Sequence, residues 1–166
     1  MIVAKQATED DFNAYFFLKC DEENIKWTGH ENAPEREKLY QWYLTNINLD
    51  IRHFFLFFED NQVDKPVGYL YVDYVNAEKT SVDTGHGVYS NSAGKGYGTE
   101  IIKFAIEFTT KELLSVKEIE GWIAQDNIGS VKNVLKNGYH ETEETKVVKF
   151  EGGEEKTFRK FVRQIR

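Results

Sequence analysis

The sequence predicts a mixed α/β fold of the α+β kind: a mainly antiparallel central sheet with helices on both faces, in the order β-α-α-β-β-β-α-β-α-β-β. Three observations carry this reading. Strand-like stretches follow one another between residues 51 and 89 with no helix between them, which requires antiparallel pairing. Helical periodicity on either side of Val116–Ala124 adds strand–helix–strand units, which bring in parallel pairing. A chain of 166 residues, 40% hydrophobic, supplies one sizeable core and no second, so residues 1–166 are expected to form a single domain.

The elements follow in order. Ile2–Ala7 is a short strand. Thr8 starts a helix, with Asp11 at the capping-box position and Phe12, Tyr15, Phe16 and Cys20 at helical spacing. Trp27–Asn32 reads as a loop. Pro34 suits the first position of a second helix, whose apolar face is Leu39, Trp42, Tyr43 and Ile47. Ile51–Glu59 and Val67–Val75 are rich in aromatic and β-branched residues and flank the turn-rich stretch Asp60–Pro66, an antiparallel hairpin. Thr80–Tyr89 is a third strand, broken by Gly85 and Gly87. Ile101, Phe104, Ala105 and Phe108 give an amphipathic helix after a glycine loop. Val116–Ala124 returns to alternation, with Val116, Glu118, Glu120 and Trp122 on one face. Ile128, Val131 and Leu135 mark a shorter helix that ends at Asn137-Gly138. Tyr139–Phe150 and Lys156–Val162 flank Gly152-Gly153, a hairpin turn.

Charge and composition exclude several classes. Lys plus Arg is 21 and Asp plus Glu is 28, a net charge of −7, so the chain lacks the footprint of a general nucleic-acid or anionic-membrane binder. Its longest apolar runs, Ala14–Leu18 and Phe54–Phe58, fall far short of the ~20 residues that cross a bilayer. The first residues do not resemble a signal peptide, and a cytoplasmic chain, monomeric or homodimeric, is expected. A lone cysteine, Cys20, excludes an internal disulfide and reads as a packing thiol. His30, His53, His86 and His140 show no ligand spacing, so no metal is expected.

The sharpest feature is Gly94-Lys95-Gly96-Tyr97-Gly98-Thr99 at the front of a helix. The first amides of a helix have no internal partners, and the aligned peptide dipoles make that end positive. Glycines let the backbone approach a ligand closely. A phosphate or pyrophosphate is the natural guest. The loop is not a Walker sequence, and its G-x-G-x-G spacing is not the dinucleotide G-x-G-x-x-G, so an NAD or ATP domain is the weaker reading.

The loop resembles the acetyl-coenzyme A loop of the GNAT superfamily of N-acetyltransferases, [RQ]-x-x-G-x-[GA]. Gly96-Tyr97-Gly98 matches the glycines, and Ala93 stands where the family has Arg or Gln. A second stretch, Asn127 through Tyr139, resembles N-x-x-S-x-x-V-L-x-K-x-G-[FY] of the branch that contains ribosomal-protein N-acetyltransferases. Gly85-His86 stands at that branch's distance from Gly94.

The resemblance implies transfer of an acetyl group from acetyl-CoA to a primary amine, of a small molecule or a protein N-terminus, by direct attack on the thioester. It implies that Ser81–Tyr89 and Val116–Ala124 part to admit the pantetheine, and that the backbone at Val88 and Tyr89 orients the carbonyl. The loop Gly94, Lys95, Gly96, Tyr97, Gly98 and Thr99 should hold the cofactor, with the amides of Lys95, Gly96, Gly98 and Thr99 on the pyrophosphate. Asn127 either caps its helix or touches the cofactor. Many family members place a Tyr acid where Val134 stands, so Ser130 is the candidate donor to the leaving sulfur. His86 is the candidate base, since an imidazole titrates near physiological pH; Asp83, Glu118 and Glu120 are the alternatives. Trp27 and His30 in the loop Trp27–Asn32, with Trp122, are the candidate acceptor-binding side chains. A non-catalytic acyl-CoA-binding module is the competing class.

Overall fold

The computed structural model describes residues 1–60 and 62–166. Seven strands, β1 (Ile2–Gln6), β2 (Arg52–Glu59), β3 (Gln62–Tyr74), β4 (Ser81–Val88), β5 (Glu118–Ala124), β6 (His140–Lys149) and β7 (Glu155–Gln164), form one sheet in the order β1-β2-β3-β4-β5-β7-β6. Every neighbouring pair is antiparallel except β4 and β5, which run parallel. The helices are α1 (Phe12–Lys19), α2 (Glu22–Trp27), α3 (Arg36–Ile47), α4 (Tyr97–Glu112) and α5 (Ile128–Lys136).

The alternation of the strands sorts the core onto two faces. On one, Phe55, Phe57, Leu70, Val72, Val82 and Ile119 pack under α4 and α5 with Ile101, Ala105 and Val134. On the other, Phe54, Leu56 and Tyr69 meet Phe12, Tyr15, Leu18 and Tyr43 of α1 and α3. Cys20, at the end of α1, is only half-buried, and Trp42 stays exposed while its ring flanks Tyr15 and Tyr71.

Three expectations are corrected. A helix, α2, occupies the stretch before Thr28, so three helices rather than two precede β2, and Trp27 ends a helix instead of opening a loop. The helix is short and mostly polar, so no apolar period betrays it. Asp21 supports it by accepting a hydrogen bond from the Asn24 amide at 3.3 Å. The third helix starts at Arg36 with Glu35 as its cap, and Pro34 sits just outside. Proline's fixed φ suits the turn into a helix as well as its first position. The connection Asp60–Pro66 is shorter than expected, because β3 resumes at Gln62; Asn61 of that connection lies outside the described residues. The ladder is irregular around Phe58, which stands opposite Pro66, a place where a residue without an N–H is tolerated.

The feature that makes a site is the failure of one ladder. β4 and β5 pair only at Ser81–Glu118, Val82–Ile119 and Asp83–Glu120. Beyond that rung both strands continue, to Val88 and Ala124, without pairing to each other. The sheet therefore opens into a fork whose vertex is Asp83–Glu120.

Candidate functional site

A groove of about 760 Å³ occupies the fork and its surroundings. It is lined by Thr84–Ser90, Ser92 and Ala93 of β4 and its following turn, by Gly94 and Gly96–Thr99, by Gly121–Ala124 of β5, and by Asn127, Ser130, Asn133 and Val134 at α5. Glu23, Asn24, Trp27 and Thr28 of α2 close one side.

At one end stands the glycine loop. Gly94 and Gly96 have φ of 81° and 82°, a left-handed conformation that glycine adopts without strain. A Cβ on either would meet nothing within 4 Å, so the space before the loop is open. The Gly96, Tyr97, Gly98 and Thr99 amides stand at the helix start, where no preceding turn supplies carbonyls. The Lys95 amide is different: it turns back to the Ser92 carbonyl at 3.4 Å. The Lys95 side chain also points away, to Glu59 at 3.0 Å, outside the groove. Gly98 lets α5 approach, since a Cβ there would lie 3.1 Å from Asn133 Nδ2. Thr99 Oγ1 donates to Asn133 Oδ1 at 2.9 Å, tying α4 to α5.

The walls of the fork are backbone. The Tyr89 amide donates to the Val67 carbonyl at 2.8 Å, so it is spent on β3. Alternation along an antiparallel strand then turns the amides of His86 and Val88 the other way, into the gap that β5 has vacated. Of the two backbone groups expected to orient a carbonyl, Val88 is free to do so and Tyr89 is not.

The candidate bases fall in three different settings. His86 lines the groove half-buried, and burial lowers its pKa to about 4, so it is neutral at physiological pH and does not titrate there. Neither Glu120 nor Asp83 lines the groove, and Glu120 Oε2 lies 3.1 Å from Lys160 Nζ. Glu118 accepts from Gln164 at 2.9 Å. Asp83, at the vertex, has a buried Oδ1 with no partner. Burial, then the charges of Glu120 and Asp73, push its carboxyl up to about 6.

At the other wall, Asn127 Oδ1 accepts from the Ser130 amide at 3.3 Å, so Asn127 caps α5 while also lining the groove. Ser130 lines the groove. Trp27 and Trp122 line it as well, with Lys156 Nζ 5.3 Å from the Trp27 ring and Lys146 Nζ 4.4 Å from the Trp122 ring. His30 does not: its Nδ1 lies 2.8 Å from Glu151 Oε1 on the β6–β7 turn. That contact, the Glu31 amide donating to Glu151 Oε2 at 3.0 Å, and Phe150 against Gly29 hold the hairpin onto the loop after α2.

Sequence reasoning missed Asn24, Tyr69 and Tyr139, all groove-lining. Asn24 and Tyr69 come together across 45 positions through Asn24 Nδ2 donating to Tyr69 Oη at 2.8 Å, a pairing no local pattern announces. No group of three or more metal-binding side chains occurs among the described residues.

Residues 2–140 match the family model described as "Acetyltransferase (GNAT) domain". No curated protein sequence matches the chain. Among solved structures, spermidine N-acetyltransferase from Vibrio cholerae, in complex with CoA and spermine, superimposes with a TM-score of 0.83 at 16% identity, over 98% of this chain and 95% of that one. The aminoglycoside acetyltransferase AAC(6')-Ib with coenzyme A gives 0.78 at 14% identity, over 99% and 95%. A GNAT-family acetyltransferase from Streptococcus pneumoniae gives 0.76 at 14%, over 99% and 100%. At these identities the likeness is one of fold.

Proposed function

The chain belongs to the GNAT acetyltransferase family, whose members move acetyl groups from acetyl-CoA, and from that premise we propose that this enzyme acetylates the primary amine of a small molecule. The observation that carries the proposal is the fork: a sheet opened beside a helix start whose amides are free. Structural neighbours named for spermidine and aminoglycoside acetylation support a small amine as acceptor.

The residues fit acetyl-CoA. Free amides at Gly96–Thr99 suit a pyrophosphate, and the open space before Gly94 and Gly96 admits it without a side chain in the way. That cradle is made of backbone, so Ala93 in place of Arg or Gln removes one side-chain contact and leaves the rest. Acetyl-CoA supplies a thioester. The His86 and Val88 amides facing the gap are the donors for its carbonyl oxygen as negative charge develops there.

A nitrogen–carbon bond forms, the carbon–sulfur bond breaks, and the amine surrenders a proton. Asp83, at the vertex of the fork, is the residue to take it, through water along the unpaired stretch of β4. A carboxylate raised to about 6 is ionised at neutral pH yet closer in proton affinity to an amine than an ordinary aspartate. His86, with its pKa at about 4, holds a proton less well, and Glu120 is occupied by Lys160. Ser130 donates its hydroxyl hydrogen bond to the leaving sulfur, which takes a proton from solvent as Asp83 gives up the amine's, and the products are an amide and a free thiol.

Incubation with acetyl-CoA and a panel of amines, followed by release of free thiol, tests this. Turnover is expected with at least one small amine, and Ser130→Ala should lower kcat about tenfold or more with KM for acetyl-CoA little changed. Tight coenzyme A binding with no turnover on any amine would leave a binding module instead.

A further inference from the structure

Side chains on the α1–α3 face of the fork narrow the acceptor. Asp73, Asp83 and Glu120 are register partners on β3, β4 and β5, and so stand in one row. Two of them are already neutralised. Arg52 grips Asp73 through parallel hydrogen bonds of 2.8 and 2.7 Å, and Lys160 lies 3.1 Å from Glu120. Among the described residues of the row, only Asp83 has a buried oxygen without a partner, so the row is not the multiply charged wall that a polycation would select.

The opposite sign waits beside it. Lys19, in the last turn of α1, places its ammonium over the Tyr69 ring, 5.3 Å from the centroid. It forms no ion pair among the described residues, although the chain carries 28 acidic side chains. Burial lowers its pKa to about 8. The Tyr69 hydroxyl accepts from Asn24 Nδ2, and Asn24, only 8% exposed, has an Oδ1 with no partner. Both groups press on β4 after it has left β5: a Cβ at Gly87 would lie 2.5 Å from Asn24 Nδ2 and 2.6 Å from the Tyr69 ring. A half-buried cation with no counter-ion and a buried oxygen with no donor each cost free energy that a ligand would return.

Resting on acetyl transfer to a small amine, we propose that the acceptor also carries a carboxylate, as an amino acid or a close analogue does: Lys19 binds the carboxylate and Asn24 Oδ1 accepts a hydrogen bond from the amine N–H. A polyamine would instead bring a second cation against Lys19 and leave it unpaired.

Two measurements test this. The first needs no turnover. In the coenzyme A complex of 13C-lysine-labelled protein, the Lys19 side chain is titrated alone, with each of the twenty protein amino acids, and with the amine left by removing each carboxylate. At least one amino acid should raise the Lys19 midpoint by a unit or more, and its decarboxylated partner should not. No rise with any amino acid would overturn the proposal.

The second compares kcat/KM for the same pairs. The wild type should prefer the carboxylate-bearing member at least tenfold. Lys19→Met should erase that preference through the KM of the amino acid, with coenzyme A affinity retained as the check on folding, and Lys19→Arg should keep it. An unchanged preference in Lys19→Met would also overturn the proposal. A Lys19 response without thiol release would sink acetyl transfer and leave the carboxylate site standing. Thiol release from polyamines with an unresponsive Lys19 would do the reverse.

Discussion

Asp83 combines two properties that usually conflict. Its carboxyl is raised to about 6, above an ordinary aspartate, so the folded chain binds its proton more tightly than the unfolded chain does. Its contribution to stability is therefore fullest below about pH 4 and is lost as pH rises through about 6. Asp83→Asn should stabilise the protein at pH 7, by up to about 3 kcal/mol, and hardly at pH 4, read by chemical denaturation at both. The same change should cost roughly a hundredfold or more in kcat/KM and remove the limb rising through about pH 6. An undiminished limb in the variant would assign the base elsewhere. At Gly96 the argument is electrostatic. Gly96→Glu places a carboxylate where the free amides meet the diphosphate, and calorimetry should find coenzyme A binding abolished in a protein that still folds.

Among the elements, β3 and β4 depend on small residues to bring their neighbours close. A Cβ at Gly68 would lie 2.7 Å from the Gly87 carbonyl oxygen and 2.6 Å from Ile101 of α4. The oxygen belongs to backbone and cannot turn aside as a side-chain tip would. Gly68→Ala should thus cost about 1–3 kcal/mol in chemical denaturation, and a neutral result would mean that β4 yields more readily than its pairing suggests. The corner between α1 and α2 is held in a comparable way by polar contacts: Asp21 caps α2 and accepts from Ser90 Oγ at 2.5 Å, fastening the helices to the turn after β4. The α2 side of the groove is thereby anchored to the end of β4.

For the molecule as a whole, coenzyme A should act as a structural brace, because at the proposed site it would touch α4, α5, β4 and β5 across a gap where β4 and β5 do not pair. A ligand at a hundred times its Kd stabilises by about 2.7 kcal/mol, which in a chain of this size raises Tm by roughly 5–10 °C. NAD and ATP should not reproduce the shift; if they did, the glycine loop would be a nucleotide site of another kind.

Much of this was legible in the residues. The glycine loop, the helix behind it and the second motif at Asn127–Tyr139 are local patterns, and local geometry obeys them: the φ values of Gly94 and Gly96 and the Asn127 cap follow from side-chain size and hydrogen-bonding groups within a few positions. The sequence by itself thus determined the fold class, the glycine turn into α4 and most of the strands. Tertiary structure alone decided which charges remain free. Glu120 met Lys160, His30 met Glu151 and Lys95 met Glu59, while among the described residues Asp83 Oδ1 and Asn24 Oδ1 were left without hydrogen bonds and Lys19 without an ion pair. Those pairings join residues 36 to 121 positions apart by pleat, register and packing, and a side chain's proton affinity depends on burial and neighbouring charge that no stretch of adjacent residues contains.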